Sequence, residues 1–266
     1  MSTYFRSGEA IQKIANRYAQ KLDELPVRYE LMIIETTYGD TNIAITGTEN
    51  KRALVFIHGA ETCAPLEFET LKELVNDFKI YAVDLPNLAG RSAEIQPNLQ
   101  NNSYGKWMFE ILSRLGVKHA ILLAFGGGGF IALKTLAFDE KRIAKTFLVA
   151  PAGIVKPSRL RYFFKVLFSV KRFRILRKEK LTTNIFRIPE ISEIEAAKIQ
   201  TPLYIFAAED DVFYPANQLR KRAKKLFRSL KDVFLLYRGT TRTANNVHNS
   251  STSRNTISDT IIKNEL

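Results

Sequence analysis

Few side chains in this sequence could attack a substrate or take a proton with help from a fold. The histidines are His58, His119 and His248, and Cys63 is the single cysteine. The sharpest signal lies between two of them, in His119–Lys134, HAILLAFGGGGFIALK. It reads as a buried strand, a tight turn and then a helix. Such a turn holds its apex residue above the end of a sheet and aims the first amides of the helix at whatever lies there. A serine, cysteine or threonine at the apex attacks an acyl carbon once a histidine takes its proton. Here the residues that could occupy the apex are Phe125, Gly126 and Gly127, and none is a nucleophile. The backbone amides need no side chain, so their ability to stabilise an oxyanion survives. Cys63 follows a strand end but lacks the glycines of such a turn, and a structural role is expected for it.

The elements that must position these residues follow from periodicity. Ser7–Leu25 carries Ile11, Ile14, Ala15, Tyr18 and Leu22 at helical spacing and ends at Pro26. Tyr29–Thr37 and Asn42–Thr46 read as a hairpin around Tyr38-Gly39-Asp40. Short apolar strands are expected at Ala53–Ile57, Ile80–Val83, Ala120–Phe125, Lys145–Val149, Pro202–Ala207 and Val233–Tyr237. Helical periodicity covers Leu66–Phe78, Ser103–Leu115, Phe130–Phe138 and Ala216–Leu230, with a last helix inside Ser250–Ile262. Lys156–Lys180 breaks the alternation with an amphipathic, basic and aromatic segment. Strand–helix alternation implies an α/β fold, a mostly parallel sheet with helices on both faces and an antiparallel hairpin at its edge. Ligands in such sheets bind beyond the carboxyl ends of the strands.

The order of motifs resembles the α/β-hydrolase fold over roughly residues 29–266, and in particular a bacterial carboxylesterase-like subgroup. FIHGAETC resembles the strand end that supplies an oxyanion amide, and YAVDLPNLAGRSA resembles the D-x-P-G-x-G-x-S loop, with Asn87 where a glycine is usual. LLAFGGGGFIAL resembles the nucleophile elbow G-x-S-x-G-G, and PLYIFAAEDDVFYP the strand and loop that carry the acid. The resemblance implies an N-terminal helix over 1–28, a hydrolase core over 29–152 and 200–266, and a small helical cap over 153–199. It puts the nucleophile position on Gly126, the acid on Asp211 four residues before Pro215, and the base on His248. Val247 replaces the glycine usual before that histidine, and Asp210 is the neighbouring alternative for the acid. The oxyanion amides would be those of Ala60 and Gly127. Phe125, Phe163, Phe164 and Leu167 would line a substrate pocket under the cap. His58 belongs to the oxyanion strand, and His119 to a solvated junction.

Three functional readings stand together. The chain binds a small molecule in a hydrolase-like pocket without covalent chemistry. Alternatively, His248 and Asp211 serve as a general base with no serine, in a hydrolase-like or in a lyase- or cyclase-like reaction. The third is a serine esterase of the carboxylesterase type in which the serine has been replaced by Gly126, by evolution or by design. No cofactor and no metal site is expected.

Composition frames these readings. The 266 residues suffice for one α/β domain with an insertion. The formal charge is +13 and is concentrated between Lys156 and Lys180 and in Arg220, Lys221, Arg222, Lys224, Lys225, Arg228 and Lys231. Such clusters attract anions, and an acyl or anionic small molecule is the expected ligand. No nucleic-acid module is visible, and a membrane surface is not the favoured partner. The N-terminal residues hold no apolar signal core, so a cytoplasmic location is expected. Nothing in the sequence fixes the oligomeric state.

Overall fold

The computed structural model describes residues 16, 18–20, 22–24, 28–59, 62–86, 90–158, 187–209, 211, 213–236, 257–261 and 263. The strands are β1 (Tyr29–Thr36), β2 (Gly39–Gly47), β3 (Arg52–Ile57), β4 (Phe78–Val83), β5 (Ala120–Phe125), β6 (Ile143–Val149), β7 (Leu203–Ala208) and β8 (Leu230–Leu236). The helices are α1 (Ala64–Leu71), α2 (Ser103–Arg114), α3 (Gly127–Phe138), α4 (Glu193–Lys198) and α5 (Ala216–Leu226), with a 3-10 turn at Lys72–Leu74.

The strands form one eight-stranded sheet in the order β1-β2-β4-β3-β5-β6-β7-β8. β1, β2 and β4 pair antiparallel, and every pair from β4–β3 to β7–β8 is parallel. The central strands are apolar without alternation because both faces are covered. In β3, Leu54 and Phe56 join one buried cluster and Val55 and Ile57 the other, so a core lies on each side of the sheet. Parallel pairing carries the ends of β3, β4, β5, β6 and β7 to one rim, with Ile57 beside Val83 and Ala124, and Val149 beside Phe125 and Phe206.

The described N-terminal residues Tyr18 and Leu22 are helical and buried, on the apolar stripe read from the sequence. Elsewhere several boundaries shift. The helix expected over Leu66–Phe78 starts at Ala64 and gives way to the 3-10 turn and then β4, so Phe78 is a strand residue. Val75 and Phe78 keep helical spacing, but Phe78 is buried opposite Arg52 and its carbonyl accepts from Thr48 N–H. The helix expected over Ala216–Leu230 stops at Leu226, because Phe227 turns extended and Leu230 opens β8. α3 begins at Gly127 rather than Phe130, so the glycine run is itself the first helical turn. Lys156–Ser158 are not helical, and 159–186 lie outside the described residues. Where the chain is described again it closes on its point of departure, Ile191 N–H donating to the Gly153 carbonyl at 2.7 Å. No helix among the described residues is long and apolar enough to cross a membrane.

Candidate active site

The turn after β5 is as sharp as the sequence implies. Gly126 caps α3 with φ +49° and ψ −115°, a backbone state that L side chains adopt only under strain. Three main-chain bonds fix it. Its N–H donates to the Val149 carbonyl at 2.9 Å, and its carbonyl accepts from Gly129 at 3.0 Å and Ala152 at 2.8 Å. Gly127 follows, partly exposed, in the helical turn whose amides have no acceptor within the helix. The next two glycines answer to packing instead. A Cβ at Gly128 would stand 2.5 Å from the Ile57 carbonyl oxygen and 2.6 Å from that of His58, and one at Gly129 would stand 2.6 Å from the Pro151 ring. The elbow is therefore pressed against the end of β3 and against the loop after β6. In that loop Ala150 takes φ +45°, with its N–H on the Phe206 carbonyl at 2.8 Å. The ends of β5, β6 and β7 are thus bonded together at the rim.

Asp211 lies in the loop after β7 and is 2% exposed. Its own N–H donates to the Ala208 carbonyl, while Oδ1 accepts the N–H groups of Phe213 at 2.7 Å and Tyr214 at 3.0 Å. Hydrogen bonds of this kind fix the carboxylate's direction. Burial, and secondarily the charge of Asp211, push the Tyr214 phenol above its ordinary range and keep it neutral. Pro215 then caps α5. Asp211 is thus buried and held by backbone in the loop before α5.

The end of β3 is organised around a second buried carboxylate. Asp84, at the end of β4, accepts from Tyr18 Oη at 2.6 Å, Asn42 Nδ2 at 2.9 Å, Ala64 N–H at 2.9 Å and Arg91 N–H at 3.3 Å. His58 is fully buried beside it, its Nε2 3.9 Å from Asp84 Oδ1. Nε2 accepts the Leu85 N–H at 3.0 Å, so Nδ1 carries the proton and donates to the Gly59 carbonyl at 2.7 Å. Burial lowers the His58 pKa, and the charge of Asp84 only partly opposes it. A neutral ring with both nitrogens engaged fastens the end of β3 to the start of the loop after β4. Gly59 is thus bonded to His58 and Ala64 to Asp84.

Of the residues expected at the site, Gly126, Gly127, Asp211 and Phe125 are described. Phe125 is 1% exposed and meets Phe56 edge-on, with ring centroids 5.0 Å apart, inside the core cluster. His248, Asp210, Ala60, Phe163, Phe164 and Leu167 lie outside the described residues. Cys63 is buried with Tyr18 and Leu22, and His119 is exposed at φ +54°.

Sequence reasoning missed two groups. Tyr18 reaches Asp84 across 66 positions, a pairing that no local pattern signals. Glu67 is 4% exposed on α1 between the buried Ala64 and Leu71, and burial lifts its carboxyl to about 7 against a hydrogen bond from Thr62 that lowers it. Among the described residues no group of three or more His, Cys, Asp or Glu is placed to hold a metal ion.

Known proteins share this fold. A family model described as alpha/beta hydrolase fold matches residues 52–182. An uncharacterized carboxylesterase of Bacillus subtilis (strain 168) is 23% identical over 140 residues, which are 53% of this chain and 47% of that protein, so the match spans about half of the relative's length. Among solved structures, a putative hydrolase from Bacillus subtilis superimposes with a TM-score of 0.78 at 15% identity over 98% of this chain and all of the other. The naproxen esterase (carboxylesterase NP) of Bacillus subtilis superimposes at 0.77 and 15% identity, over all of this chain and 99% of the other. Identities this low establish the α/β-hydrolase fold and leave the chemistry to the residues of the site.

Proposed function

We propose that this chain, built on the α/β-hydrolase fold, binds a small acyl or anionic molecule at the rim of its sheet and forms no acyl-enzyme at position 126. One observation carries the reading: the apex of the elbow, at φ +49° and ψ −115°, is a glycine. Among the described residues the reading is supported by the first turn of α3 after Gly126, by the Asp84 bond to Ala64 beyond β3 and by the buried, backbone-bonded Asp211. In a serine hydrolase the imidazole deprotonates the apex hydroxyl, the alkoxide attacks the acyl carbon, and amides receive the oxyanion. Here an imidazole from His248, oriented by Asp211, would have only water or a substrate proton to take.

The second reading is an esterase-type ancestry in which Gly126 replaces the serine, favoured by the likeness to bacterial carboxylesterases. One experiment serves both readings. Gly126→Ser is assayed with short-chain p-nitrophenyl esters beside the unaltered chain. A burst of one phenolate per chain in the variant alone supports an intact site that lacks only its hydroxyl. No burst from a folded variant removes both readings. Ester turnover by the unaltered chain that His248→Ala abolishes would favour general-base hydrolysis instead.

A further inference from the structure

We propose that the free edge of β1 is a self-association surface on which two copies of this chain pair β1 against β1 about a two-fold axis through Met32. This does not depend on the functional reading. β1 ends the sheet, and among the described residues nothing pairs with its outer side. Asn42, opposite Ile33 on β2, donates its N–H to Ser92 Oγ at 3.0 Å and accepts the Asp84 N–H on its carbonyl at 3.0 Å. Both of its backbone groups are therefore turned away from Ile33. The N–H and C=O of Ile33, and by alternation those of Tyr29, Leu31 and Glu35, face the free edge.

Strand edges are ordinarily blunted by Lys, Pro, a bulge or a cover. β8, at the opposite end, carries exposed Lys231 and Asp232, and its ladder with β7 shifts register at Leu203/Tyr204. Among the described residues β1 has none of these. Its eight residues, YELMIIET, pair with β2 without a shift and contain no Lys, Arg or Pro. Its centre is apolar and open, with Leu31 38%, Met32 41% and Ile33 69% exposed. Half of the six exposed large apolar residues that are described lie in these three consecutive positions.

A second copy is the occupant that fits. Antiparallel pairing about Met32 sets Leu31 against the partner's Ile33 and Ile33 against the partner's Leu31, both through outward-facing groups. Glu35 then meets the partner's Tyr29, Glu30 the partner's Ile34 and Arg28 the partner's Thr36, so no acid opposes an acid. Moving the axis to Ile33 would put Leu31 against the partner's Glu35, and moving it to Leu31 shortens the ladder. The surface is thus complementary to itself, as an isologous interface must be. One strand edge buries less than the ~1,200 Å² of a standard stable interface, so the dimer should be reversible and concentration-dependent.

The test is sedimentation velocity on the full chain across the micromolar range, with a cross-linking variant beside it. The chain should sediment as a monomer–dimer mixture. Ile33→Lys should be monomeric with unchanged circular dichroism and melting, while Ile194→Lys, at a 75% exposed position on α4, should still dimerise. Met32→Cys should form a disulfide between copies on mild oxidation, because residues on the axis face each other in the close pair of an antiparallel ladder, with Cα atoms about 4.5 Å apart. Cys63 is buried and does not compete. A chain that stays monomeric throughout, a dimer indifferent to Ile33→Lys, or a dimer without the Met32→Cys cross-link would each overturn the proposal.

Discussion

Gly126 and Gly128 stand two residues apart in one turn and answer to different constraints. At Gly126 the constraint is torsional, and an alanine there should cost about 1–3 kcal/mol as strain. At Gly128 it is contact with the Ile57 and His58 carbonyl oxygens, both under 3 Å from an added Cβ, so the elbow must lift off β3. Gly128→Ala should therefore lower the melting temperature at least as much as Gly126→Ala, by overpacking worth about 1–3 kcal/mol or more. Equal melting of Gly128→Ala and the unaltered chain would show that the elbow does not press on β3. Glu67 offers a pH readout. Its folded pKa, about 7, lies above the ordinary 4.5, so the folded state binds the proton more tightly. Stability from this group is present in full below about pH 4.5 and is lost as pH rises through 7. Glu67→Gln should remove that loss. The melting difference between variant and parent should widen from pH 5 to pH 8, and a constant difference would contradict the assignment. The glycine run was legible in sequence because four glycines between an apolar strand and a helix admit few structures. Glu67 was not, since an acid on an apolar stripe reads locally like any other helix surface residue.

Among the elements, the N-terminal helix contributes more than its own packing. Tyr18 donates to Asp84, accepts from Asn42 Nδ2 at 2.8 Å, and has the Arg91 guanidinium 5.0 Å from its ring centre. One side chain thus joins the helix to β2 and to the end of β4 through its hydroxyl, and to the loop at 90–92 through its ring. Tyr18→Phe leaves Asp84 one buried hydrogen bond short and should cost about 1–3 kcal/mol. Amide hydrogen exchange should rise at Ala64 and Leu85 and stay unchanged in β5 and β6. Uniform change across the sheet would mean that Tyr18 merely packs. A different device holds α4. Ser192 and Glu195 form a capping box, Ser192 Oγ accepting the Glu195 N–H at 3.2 Å and Glu195 Oε2 accepting the Ser192 N–H at 3.1 Å. Glu195 also pairs with the buried Lys134 of α3, tying the returning chain to the elbow helix. The S-x-x-E pattern was available in the sequence, but α4 has six residues, too few for periodicity to show. The inner strands β3 to β7 were legible to within about two residues, because burial on both faces makes them continuously apolar, whereas β2 and β8 each begin three residues before their expected starts. Helix ends were not, because Phe78 and Leu230 keep helical spacing while the chain has already turned into a strand.

Over the whole molecule, the sheet order brings the ends of β3, β5, β6 and β7 to one rim, and with them the residues after those strands that the sequence scatters. The rim was legible, since strand–helix alternation and the order of the motifs admit few topologies. What sequence could not supply was how the rim is held. The main-chain bonds from Gly126 to Val149 and Ala152, and the amides on Asp211, come from loop geometry that side-chain types do not encode. The charge of +13 belongs to this scale as well. Four of the basic residues on α5, Arg220, Lys221, Lys224 and Lys225, are exposed, so any anionic ligand should bind more weakly as salt is raised. The central claim is that folding has completed a hydrolase site around position 126 and withheld only its nucleophile. Intact-protein mass spectrometry after treatment with a fluorophosphonate tests it most directly. Gly126→Ser should gain one covalent adduct, and the unaltered chain and Gly126→Ser/His248→Ala should gain none. A folded Gly126→Ser chain without an adduct, or an adduct equally present on the unaltered chain, would contradict the account.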